Sequence, residues 1–168
     1  MIEIENIDAL IHAYIVKNFK EHVPTHPQVT LQSFDGSALE LDDVDFLKLY
    51  TQAKTGCETF SQMLIELIKK SGEKNSTIYN RANIDRRHFS KIVTHDDYQP
   101  SKQTVLAFAI ALKLDFEQTN DLLGSAGLSL TKSSLSDVIV SFFIEYKIFD
   151  VDLVNQILYK YDQPLLGG

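Results

Sequence analysis

Cysteine occurs only once in the 168 residues, at Cys57, which excludes a disulfide within the chain. No apolar run approaches the roughly 20 residues that a membrane span requires, so no membrane association is expected. The N-terminus MIEIENIDAL carries acidic residues where a signal peptide would carry basic ones. Together these absences predict a cytoplasmic protein. The sequence also lacks a phosphate-binding P-loop, a GxSxG nucleophile elbow and a glycine-rich dinucleotide fingerprint. The expectation is therefore no enzyme and no cofactor. His22 and His26 have a spacing used by some metal sites, but Pro24 between them breaks the helix that would align the two rings. His95, Asp96 and Asp97 have neither a Cys nor a second His beside them, and turn or capping roles account for them.

What is present is an ordinary globular composition, 44% hydrophobic and 23% charged, with a net charge of −7. That sum alone argues against nucleic acid, but the charge is unevenly spread. Residues 1–57 hold four Lys and nine acids (−5), residues 58–104 eight Lys or Arg and six acids (+2), and residues 105–168 four Lys and eight acids (−4). Within 74–91, Lys74, Arg81, Arg86, Arg87 and Lys91 face only Asp85.

Apolar residues at three- and four-residue spacings predict a helix over residues 4–20, ending before Pro24. Asp35-Gly36, set between the alternating Val29, Leu31, Leu39 and Leu41, predicts a β-hairpin over 29–41 that would pack against this helix. Asp42, Asp43 and Asp45 read as acids in the first turn of a further helix. TQAKTGCET reads as a linker. Beyond it, periodic segments predict a helix around Phe60 to Ile68 closed by Gly72, one through Val105 to Leu112, a short one after Asp115, and two last helices around 135–146 and 151–161.

Between these, NSTIYNRANIDRRHFSKI at 75–92 reads as a helix-turn-helix. Ile78, Ala82, Ile84, Phe89 and Ile92 fall where two short crossing helices face inward. Asn83 suits a turn that needs positive φ, and Asp85 suits the N-cap of the second helix. That helix then turns Arg86, Arg87, Ser90, Lys91 and, at its end, Thr94 outward. Arg and Lys can neutralise phosphates, and Arg can bind guanine O6 and N7 in the major groove.

With this pair of helices, the QPSKQTVLAFAIAL segment and the LDFEQTNDLL segment, residues of about 60–127 resemble the Cro and lambda-repressor family of helix-turn-helix domains. The resemblance implies that Asp85, Arg86, Arg87, Ser90 and Lys91 match the family's recognition-helix contact positions. It implies for Asn75 the phosphate- or base-contacting position at the start of the first helix of the pair. Tyr79 departs from the family, which has a small residue there, and suggests a wider crossing or a rotated second helix. The sequence from 58 to the end is also similar to a tail module carried by bacterial proteins of several unrelated catalytic classes, which ends in a similar DQPLL.

The expected fold is mostly α. It comprises a small N-terminal helix plus β-hairpin unit (1–57), a five-helix repressor-like helix-turn-helix domain (58–130) and two C-terminal helices as an extension (131–168). The expected function is that of a prokaryotic DNA-binding transcription regulator contacting duplex DNA through residues 85–94. The alternative is a protein-interaction adaptor, docking a partner through the acidic N-terminal unit or the C-terminal helices. A homodimer is expected, because the apolar band from Val138, Ile139, Phe142 and Phe143 to Ile157, Leu158 and Tyr161 is wider than a helical pair easily hides.

Overall fold

Most of the helices begin where a side chain can take up backbone N–H groups that the first helical turn leaves without partners. The structure, a computed structural model, describes residues 4–20 and 58–168 apart from Asp96. Among the described residues there are eight helices and no strand: α1 (Ile4–Asn18), α2 (Phe60–Ser71), α3 (Asn75–Arg81), α4 (Arg86–Thr94), α5 (Lys102–Ala111), α6 (Phe116–Ser125), α7 (Leu135–Glu145) and α8 (Val151–Lys160). Thr59 and Asp115 open α2 and α6 with capping boxes closed by Gln62 and Gln118. Asp85, Ser101, Ser134 and Asp150 cap α4, α5, α7 and α8. Gly72 ends α2 at φ 70, a left-handed conformation that costs glycine little.

The middle of the fold is α5. Every residue from Thr104 to Ala111 is buried, as befits a helix that is apolar all round, and α3, α6 and α8 pack against it. At its start, the Lys102 ammonium donates to the Asp137 carboxylate of α7, which also accepts the Thr131 N–H at 2.8 Å. Asp137 is only 1% exposed, and these bonds, all to Oδ2, offset part of the cost of burying its charge, while the buried Oδ1 has no hydrogen-bond partner among the described residues.

One hydrophobic core includes residues from all eight helices, and this corrects the expected fold class. A five-helix repressor-like domain with a helix-plus-hairpin unit and two appended helices does not describe it. Ile7 and Ile11 of α1 are 3% and 0% exposed, and the Tyr14 ring meets Phe142 of α7 edge-on at 5.3 Å. Tyr14 also donates its hydroxyl to Glu145 at 2.6 Å, and Lys160 pairs with Asp8 at 2.7 Å. The physical reason is that α7 is apolar on more than one side, and α1 packs against it together with α6 and α8. The band expected to form a dimer is thus largely consumed within the chain, with Val138, Ile139, Phe142, Phe143, Ile157 and Leu158 all buried. The hairpin expected at 29–41, the helix after Asp42, the pair His22 and His26, and Cys57 lie outside the described residues. Among the described residues, no helix is long and apolar enough to cross a membrane.

Candidate nucleic-acid interface

The pair α3 and α4 is held by the residues between its two faces. Ile78, Ala82, Ile84, Phe89 and Ile92 are 0%, 0%, 2%, 6% and 0% exposed. Asn83 stands in the turn at φ 55, and the next amide, of Ile84, donates to the Tyr79 carbonyl at 2.9 Å. The Tyr79 ring lies 5.2 Å from the Phe89 ring, which in turn lies 6.1 Å from Phe108 of α5. So the bulky residue at 79 contributes to an aromatic stack under α4.

With Phe89 and Ile92 inward, helical geometry turns the intervening residues out. Arg86, Arg87, Ser90, Lys91 and Thr94 are all exposed, and Asn75 is exposed at the first position of α3. Asp85 is exposed as well, but its carboxylate is engaged: one oxygen accepts the Arg87 N–H at 2.7 Å and the His88 N–H at 3.0 Å. Those two bonds, that to His88 foremost, hold its carboxyl below the usual carboxylate range. Thr94 is engaged too, because its hydroxyl donates back to the Ser90 carbonyl at 2.8 Å.

Arg81 stands apart from the other cations. Its guanidinium takes both Glu73 oxygens, at 3.0 and 2.7 Å, and donates to the Ala111 carbonyl at 2.7 Å. It ties α3 to the end of α5 and leaves the exposed charge to Lys74, Arg86, Arg87 and Lys91, none of which forms an ion pair among the described residues. Glu73 sits one residue before the segment whose charge balance singled out Arg81.

Two residues beside this face were not legible as part of it. Tyr98 shares one hydrogen bond with His88 Nε2 at 2.7 Å, and Lys91 Nζ sits 5.8 Å from the centre of the Tyr98 ring. Burial pushes the Tyr98 phenol up. His88 sits between the inward and outward rows of α4, and Tyr98 sits in an irregular connection, so no periodicity marks either. On the other side, Asn83 donates to the Asp152 carboxylate at 2.8 Å, which sets an acid next to the turn.

Comparison with protein-family models, with curated proteins and with solved structures gives no match.

Proposed function

We infer that this protein binds duplex DNA as a regulator of the helix-turn-helix type, with α4 as the element that meets the duplex. One observation carries the reading: Arg86, Arg87, Ser90 and Lys91 share the exposed face of α4 opposite the buried Phe89 and Ile92, and their cations pair with no acid among the described residues. Unpaired cations lose little on meeting phosphates, and the arginines suit guanine edges. Asp85 supports the face from its cap, and Asn75, Lys74 and Thr94 flank it. The likeness to Cro and lambda-repressor proteins in the pair of helices supports the same roles.

Reaching two half-sites about 34 Å apart calls for a homodimer. Since the α7–α8 band is largely consumed inside the chain, one apolar surface left for it among the described residues is a groove of about 430 Å³ lined in part by Tyr14, Phe116 and Leu130. Phe116 is 49% exposed there, which also favours a second reading, an adaptor that docks another protein in this groove.

Salt separates the two. Binding of a random-sequence duplex, read by fluorescence anisotropy, should weaken steeply with added salt. Neutralising about four phosphates predicts a slope of log K against log salt of about −4. No binding at low salt, or binding indifferent to salt, contradicts the DNA reading.

A further inference from the structure

After α8 the chain does not trail away from the body. Gln163 donates its N–H to the Leu158 carbonyl at 2.9 Å, Pro164 and Leu165 are exposed, and Leu166 then plunges to 5% exposure. The Asn155 side-chain amide pairs with the backbone of Leu166 on both sides, accepting its N–H at 2.7 Å and donating to its C=O at 3.0 Å. The buried Thr104 hydroxyl donates to the Gly167 carbonyl at 3.2 Å. Gly167 adopts φ 127, and a Cβ there would lie 3.0 Å from the Asn83 carbonyl oxygen. A Cβ on Gly168 would overlap the His88 ring.

These neighbours select a sequence. The Asn155 amide fixes one backbone register, the buried pocket demands an apolar side chain, the positive φ beside Asn83 favours glycine, and any side chain at the next position would have to displace the His88 ring. We propose that this cleft is a binding site for an extended Leu-Gly-Gly segment, filled in cis by Leu166–Gly168 as a releasable latch on the turn and first helical turn of the helix-turn-helix. The proposal is independent of what α4 contacts.

Release is built into the way the latch is held. Its hydrogen bonds come from the side chains of Asn155 and Thr104, so withdrawing it breaks none within a helix. The cleft itself is formed by α5, α8, α4 and the turn after α3, which keep their own backbone bonds. A short segment held only by side-chain hydrogen bonds and one buried side chain opens at far lower cost than core helices.

The test uses the full chain. A fluorescent peptide of residues 161–168 is titrated into the unaltered protein and into a variant carrying Leu166→Asp and Gly167→Val, whose own latch cannot seat. The vacated variant should bind at least about ten-fold more tightly, because in the unaltered chain the site is mostly occupied. A peptide carrying Gly167→Val should lose that binding. Equal binding by the two chains, equal binding of the two peptides, or no binding to a folded variant overturns the proposal. Should the variant not fold, amide exchange in the unaltered protein decides. The Leu166 amide should exchange slower than in the free peptide and faster than the amides of α5. Exchange as fast as the free peptide would show no latch, and exchange as slow as α5 would show one that does not release.

Discussion

Phe89 is the residue on which the orientation of α4 depends. Its ring is 6% exposed and is stacked between Tyr79 and Phe108, so truncation leaves a cavity that the surrounding rings can fill only in part. Phe89→Ala should destabilise the protein by about 3 to 5 kcal/mol, read from the urea midpoint. A loss below about 1 kcal/mol would mean that α4 faces the other way. Asp85 makes a prediction in pH. Its carboxyl is held below the ordinary value of 3.8 because the charged form accepts the His88 and Arg87 N–H groups. The stabilisation is therefore fully present above 3.8 and is lost as pH falls through the lower, folded value. The melting temperature of Asp85→Ala should lie below that of the unaltered protein at neutral pH, and the gap should narrow on acidification. A gap that stays constant would contradict the capping role. At this scale the inward and outward rows of α4 were legible, because burial and helical spacing are local. Arg81 was not, because Glu73 lies just outside the cationic segment and the acceptor on Ala111 belongs to another helix.

Among elements, the helices stood out where apolar spacing and capping residues agree. Gly72, Asp85, Ser101 and Asp115 each mark a boundary by the chemistry of a single position. The cover over α7 did not stand out. An apolar face tells that a helix is covered, not by what, and Phe142 is covered by Tyr14, more than a hundred residues away in the chain. A second copy of the chain would leave the same pattern in the sequence. That is why the band on α7 and α8 reads as an interface until its partner in the same chain is seen. The latch escapes sequence reasoning for a similar reason, since Leu-Gly-Gly acquires meaning only beside Asn155, Asn83 and His88. The place of α1 in the common core predicts that Ile11→Ala, at a fully buried position, costs about 2 to 5 kcal/mol and shifts the unfolding of the whole helical body as one transition. An unchanged midpoint for the residues beyond 58 would place α1 outside that core.

For the whole molecule, net charge conceals what the distribution reveals. A chain of −7 gathers four exposed cations along one helical pair, while most other charges on the described body are balanced or acidic. Such a face contributes little to folding, so its residues can be changed without disturbing the core beneath them. This separation makes the central claim directly measurable. The affinity of the Arg86→Ala, Arg87→Ala double variant for duplex DNA should be compared with that of the unaltered protein at the same salt, alongside their melting temperatures. The account predicts binding weaker by about ten-fold or more for each base that an arginine no longer grips, with an unchanged melting temperature. A folded double variant that binds duplex DNA as tightly as the unaltered protein would contradict it.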